Sequence, residues 1–150
     1  MSETFLIADE DAMQAMGRRL ASMLRVGDVI AIEGPLGAGK TTLARGMLEG
    51  LGHEGEVPSP SFAIVQPYDA PMVSLPVAHV DLYRIDDPAD VTELALDEYL
   101  MDGALFIEWP ERLGDRIWPQ ALRLQIFVEE GGVRRLTVTT PDAWKGRWLP

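Results

Sequence analysis

From Val29 to Leu51 the chain passes through an apolar strand, a glycine-rich turn ending in Lys-Thr, and an amphipathic helix, and few architectures accept that order. Val29-Ile30-Ala31-Ile32 reads as a buried strand, while Leu43, Met47, Leu48 and Leu51 fall on one helical stripe. Between them, Gly34-Pro-Leu-Gly-Ala-Gly-Lys-Thr41 matches the phosphate-loop spacing G-x-x-x-x-G-K-[ST]. Glycines at Gly34, Gly37 and Gly39 let the backbone curl until consecutive N–H groups, that of Ala38 included, point at an anion that side chains would otherwise block. Lys40 then meets the β and γ phosphate oxygens as a point charge, and Thr41 offers a hydroxyl to Mg²⁺. Thr42 adds a donor at the mouth of a helix whose N-terminus itself favours anions. Lysine occurs only at Lys40 and Lys145, so its presence in this loop is not surface decoration. The pattern predicts a nucleoside triphosphate or diphosphate ligand.

A chain of 150 residues with 47% apolar content suits a single domain, 1–150, with one core and no separate substrate domain. Its formal charge of −11 argues against autonomous nucleic-acid binding, which needs a Lys/Arg footprint, and points to protein partners. Cysteine is absent, which excludes disulfides and thiolate chemistry, and His53 and His79 are too few for a histidine-built metal centre. No basic leader precedes Phe5-Leu6-Ile7-Ala8, and no run approaches the roughly 18 apolar residues that span a bilayer. A cytoplasmic protein without membrane segments is the expectation.

Asp9 is placed to cap a first helix whose Ala12, Met13, Met16, Leu20, Met23 and Leu24 form an apolar stripe. Gly50, Gly52 and Gly55 stop the helix after the glycine loop, and the prolines of Val57-Pro58-Ser59-Pro60-Ser61-Phe62 force an extended segment. Short strands are predicted over 63–66 and 73–80, the second interrupted by Pro76. A helix is predicted after Asp87, with Val91, Leu94, Leu96, Tyr99 and Leu100 inward. Ala104-Leu105-Phe106-Ile107 has the continuous apolar character of a buried parallel strand. Alternation at Leu122, Leu124, Ile126 and Val128, a turn at Gly131-Gly132, and alternation at Leu136 and Val138 predict a hairpin. The fold expected is α/β, like that of the phosphate-loop (P-loop) NTPases: a mostly parallel sheet flanked by helices, with a C-terminal antiparallel β-hairpin.

Turnover needs a carboxylate at the end of a neighbouring strand, to hold Mg²⁺ or to orient an attacking water. Asp81 ends one apolar run and Glu108 another, and strand ends at the carboxyl edge of such a sheet converge on the ligand crevice. A helix cap or a loop ion pair is the competing role for each. Trp109 either covers the site or fills the core. Arg84 and Arg112 are candidates for approaching phosphates, with surface pairing as the alternative. Ser59 and Ser61 stand where nucleotide switches place a hydroxyl that senses the γ-phosphate, in what is otherwise an ordinary proline turn.

Taken together, Gly34 to Thr42, Ser59-Pro-Ser-Phe62, His79-Val-Asp-Leu-Tyr-Arg84 and Glu108-Trp-Pro-Glu111 resemble the TsaE (YjeE) family over essentially the whole chain. The loop is common to many families, whereas the H-x-D-L-Y-R and E-W-P-E blocks in this order are specific. The resemblance implies a Mg²⁺-dependent ATPase, cycling between ATP and ADP, that works with TsaD and TsaB in making threonylcarbamoyladenosine on tRNA. By position it gives phosphate binding to Lys40 and the loop amides, Mg²⁺ to Thr41 and Glu108, metal or water placement to Asp81, and the switch hydroxyl to Ser61. This chain departs from the family pattern at Pro35, where the family has aspartate, at Ser61, where it favours threonine, and at Ala12, where it has a threonine near adenine. The last departure turns attention to Arg134 or Arg135 on the hairpin as base contacts.

Two other functions compete. A small-molecule phosphotransferase shares the loop but generally brings an arginine-bearing lid, and no arginine-rich segment is visible. A GTP switch reads guanine through N-K-x-D, and neither lysine sits in such a motif, which favours adenine.

Overall fold

A computed structural model describes residues 2–57 and 64–148. Its seven strands are β1 (Ser2–Ile7), β2 (Val29–Glu33), β3 (Val65–Tyr68), β4 (Val77–Asp81), β5 (Ala104–Glu108), β6 (Leu122–Val128) and β7 (Arg134–Thr139). They form one sheet in the order β1-β7-β6-β2-β5-β4-β3. β2 runs parallel to both β5 and β6, and β4 runs parallel to β5, so the strands that end at the crevice point the same way.

The mixed α/β sheet with flanking helices agrees with the sequence reading, but its mostly parallel character does not. Antiparallel pairing joins β1 to β7, β6 to β7 and β3 to β4, equal in number to the parallel pairs. The reason is the connections. β6 and β7 are linked by the short Glu130–Gly132 turn, and antiparallel pairing is what a short turn permits. The predicted C-terminal hairpin is this pair, and β6 also pairs with β2, which builds the hairpin into the sheet.

The second correction is β1, six residues with alternating exposure, which the apolar run from Phe5 did not identify as a strand. Its polar first half hides the period. β3 runs from Val65 to Tyr68, two residues beyond the predicted end at 66, while the predicted start at 63 lies outside the described residues; Pro67 is tolerated because β3 is an edge strand. β4 begins at Val77, directly after Pro76, whose carbonyl accepts from the Ala104 N–H.

Helices α1 (Glu10–Ala21) and α2 (Lys40–Gly50) cover one face of the sheet. Asp9 caps α1, its Oδ1 accepting from the Ala12 N–H at 2.8 Å, and Arg18 and Arg19 in the last turn complement the helix dipole. α1 and α2 approach so closely that a Cβ at Gly46 would overlap the Gln14 carbonyl, and one at Gly17 would overlap that of Leu43. This packing presses α2 onto Ile30, Ile32, Phe106, Leu122 and Leu124 of the sheet, all fully or almost fully buried. Each such side chain contributes about 1.5 to 3 kcal/mol.

The opposite face, with Val29, Ala31, Val80, Leu105 and Ile107, is covered by 3₁₀ segments instead of a long helix. Asp87 does start a helical segment, accepting from the Ala89 N–H, yet Ala95 turns left-handed at φ 50° and splits the run into Pro88–Leu94 and Leu96–Met101. The C-terminal segment packs back through Trp144, which is fully buried. Arg147 stacks on Trp144 at 4.0 Å and donates to both carboxylate oxygens of Asp28, at 3.1 and 2.6 Å.

Candidate functional site

β2 ends at Glu33 and α2 begins at Lys40, and the loop between them turns through Gly37 and Gly39 at φ 76° and 106°. Backbone of this hand strains any residue with a Cβ, which is the physical reason for glycine at both positions. The loop opens on a cleft of about 620 Å³, in the size range of small-molecule sites. Gly37, Ala38, Gly39, Lys40, Thr41 and Thr42 line one side, with Asp81, Glu108 and Trp109 across from them and Arg134 on the hairpin side. Gly34 is not among the lining residues, and its carbonyl accepts from Lys40 Nζ at 2.5 Å.

The two acids arrive together because of register. β4 and β5 are parallel with Asp81 opposite Glu108, and the two-residue period of a strand sets His79 and Asp81 on one face of β4. That face is the one α2 covers. Asp81 and Glu108 are 5% and 3% exposed, values unusual for carboxylates, which seldom lie inside without partners. Glu108 Oε2 accepts from the Thr41 hydroxyl at 3.2 Å and from His79 Nε2 at 2.6 Å. Asp81 Oδ1 accepts from the Tyr83 N–H at 2.9 Å.

Burial pushes the Asp81 carboxyl above its ordinary value, against the Tyr83 N–H and assisted by the neighbouring Glu108 charge. Burial likewise lowers the Lys40 ammonium, although Glu108, Asp81 and Glu111 oppose it. Opposed shifts on a base and an acid in one cleft mark groups kept short of water. Among the described residues, no group of three or more His, Asp or Glu side chains is arranged to hold a metal ion by itself.

Arg134 braces the loop: its Nε donates to Ala38 O at 3.0 Å and its Nη2 to Gly37 O at 3.2 Å. Arg135, the other candidate, pairs with Glu129 at 2.9 Å and lies over the Phe127 ring. Arg84 and Arg112 are not among the residues lining the cleft. Ser59 and Ser61 lie outside the described residues.

Three contributors escaped the sequence reading. His79 was weighed as a metal ligand and quoted in the H-x-D-L-Y-R block but given no role in the site, though its two-residue spacing from Asp81 was the available signal. Tyr83 packs its ring at 4.9 Å from Trp109, and Trp109 in turn covers Lys40 at 3.7 Å, so Trp109 belongs to the cleft. The third is the set of side chains at the start of α1: the resemblance directs attention there only through Ala12, whereas Asp9, Glu10 and Met13 line the cleft.

Comparison with known proteins agrees with this architecture. The family model described as "Threonylcarbamoyl adenosine biosynthesis protein TsaE" matches residues 7–136. A Streptomyces coelicolor protein named tRNA threonylcarbamoyladenosine biosynthesis protein TsaE is 43% identical over 132 residues, covering 85% of this chain and 89% of that protein. The Bacillus subtilis protein of the same name is 39% identical, covering 84% of this chain and 78% of its own length. The crystal structure of Bacillus subtilis YdiB superposes with a TM-score of 0.80 at 30% identity, covering 94% of this chain and 86% of that one. With a family match over residues 7–136 and relatives this similar over most of their length, the chain belongs to the TsaE family.

Proposed function

We propose that this chain is a Mg²⁺-dependent ATPase subunit that acts with TsaB and TsaD in forming threonylcarbamoyladenosine on tRNA. The observation that carries the reading is the meeting of the Gly34–Thr41 loop with Asp81 and Glu108 across one cleft. Loop amides and Lys40 bind the polyphosphate, and the start of α2 adds its partial positive charge. Thr41, Glu108 and Asp81 are an all-oxygen donor set of the kind that suits Mg²⁺, which usually keeps phosphate and water oxygens in its remaining positions. When bound, the ion would neutralise charge on the β and γ phosphates.

The chain's own groups supply the rest. Glu108 accepts a hydrogen bond from the Thr41 hydroxyl, whose oxygen lone pairs would remain available to a cation. Asp81, buried beside it, is placed to orient water for attack on the γ-phosphate. The absence of an N-K-x-D motif supports adenine over guanine. An acidic chain without a basic footprint suits a subunit that works on protein partners while others hold the tRNA.

The test is reconstitution. Purified protein with TsaB, TsaD, tRNA and Mg²⁺-ATP should hydrolyse ATP faster than the protein alone and sustain nucleoside modification over many turnovers. Accumulation of a phosphorylated small-molecule acceptor, with tRNA unchanged, would instead identify a phosphotransferase.

A further inference from the structure

We propose that His79 is a positioning residue that fixes the Glu108 carboxylate for Mg²⁺ at the nucleotide; the inference rests on the ATPase reading above. His79 lies in the middle of β4 and is fully buried, among strands whose other inward residues are nearly all apolar. Burying an imidazole costs free energy unless its polar atoms are matched, and a leucine or phenylalanine would fill the volume more cheaply. The ring is nevertheless present, and its only hydrogen bond among the described residues is Nε2 to Glu108 Oε2, at 2.6 Å. Nδ1 has no hydrogen-bond partner there, so Glu108 is the one described group that hydrogen-bonds the ring.

The strand register explains the reach. His79 pairs with Phe106 on β5, one pleat short of Glu108, so the imidazole leans along the sheet toward the crevice and meets the carboxylate from below. A carboxylate only accepts, so the shared proton belongs to Nε2. Thr41 donates to the same Oε2 from the opposite element, α2. Two donors from two rigid elements hold a three-torsion side chain before any cation arrives. Outer partners that orient a ligand in this way typically change metal affinity 10- to 100-fold when removed.

His79→Phe keeps the volume and removes the donor, while His79→Gln returns an amide donor near the Nε2 position. Calorimetric titration of ADP and ATP is run on each folded variant, in EDTA and across a Mg²⁺ series. For His79→Phe, affinity in EDTA should stay within about twofold of the parent while the Mg²⁺ concentration for half-maximal enhancement rises about tenfold, with His79→Gln recovering most of the difference. Unchanged Mg²⁺ dependence in His79→Phe, or equal losses with and without Mg²⁺, would overturn the assignment.

A second readout needs neither nucleotide nor a fold-sensitive variant of β4. Long-range ¹H–¹⁵N spectra of the ligand-free protein should show His79 protonated on Nε2, with that resonance displaced in Glu108→Gln. A proton on Nδ1 alone, or a resonance indifferent to Glu108→Gln, would refute the contact. If the parent protein bound nucleotide with no Mg²⁺ dependence, the ATPase reading would fall, and His79's metal-positioning role with it; a Mg²⁺-dependent parent with an unaffected His79→Phe refutes the role alone.

Discussion

Lys40 lies across the face of Trp109, its Nζ 3.7 Å from the ring centroid and 2.5 Å from the Gly34 carbonyl oxygen. The one ammonium in the loop is therefore held by a ring face and a carbonyl, both weaker partners than a polyphosphate. Hydrogen bonds to charged groups contribute about 1.5 to 3 kcal/mol, so Lys40→Ala should weaken ATP binding by roughly one to two orders of magnitude. Calorimetry of the variant against the parent measures this. An unchanged affinity would mean that the ammonium does not reach the phosphates.

Glu108→Gln should separate binding from turnover. The amide retains an acceptor for Thr41 and His79 but loses the charge, so ATP affinity should change by a few-fold while single-turnover hydrolysis falls about 100-fold or more. Equal losses in both would give Glu108 a structural role instead.

Asp81 carries a pH signature. Its folded value is raised, chiefly by burial, so the folded state holds the proton more tightly than the unfolded chain does. The resulting contribution to stability is complete below the ordinary carboxyl value of 3.8 and is lost as pH rises through the folded value. Ionised Asp81 is thus a cost at neutral pH. Asp81→Asn, which keeps Oδ1 for the Tyr83 N–H, should be more stable than the parent at pH 7 and lose that advantage as the pH falls toward 3.8, in thermal melts across the range. A destabilised Asp81→Asn at pH 7 would contradict this sign.

Gly46 tests the packing that seats the loop helix. A methyl there collides with backbone of α1 rather than with a side chain that can swing away. Gly46→Ala should destabilise the fold by about 1 to 3 kcal/mol in urea titration, even though alanine favours helix. Unchanged stability would show that α1 and α2 separate without cost.

The glycine loop was legible because its chemistry is local: spacing alone aligns the glycines, Lys40 and Thr41. Asp81 and Glu108 were legible as strand-end acids, yet their alignment depends on a parallel register between segments 23 or more residues apart, which no local period encodes. The same non-local pairing hid His79, since only the folded sheet brings it under Glu108. β1 was missed because Ser2, Glu3 and Thr4 carry no apolar alternation, and its pairing with β7 supplies what its composition lacks. The 3₁₀ segments were misread as one helix because Val91, Leu94, Leu96 and Leu100 approximate a helical stripe, and the left-handed turn at Ala95 has no glycine to announce it. Arg134 or Arg135 was offered as a base contact because Ala12 departs from the family pattern; the Arg134 guanidinium donates to the carbonyls of Gly37 and Ala38, a contact to the loop that the sequence did not announce.

The central claim is that main-chain amides of the loop, closed by Lys40, grip a nucleotide polyphosphate. Isothermal titration of the folded protein with ATP and ADP at millimolar Mg²⁺ tests it directly. One-to-one binding that is stronger for ATP and ADP than for AMP is the result predicted. Absence of any heat from either nucleotide, or binding as tight for AMP as for ATP, would contradict it.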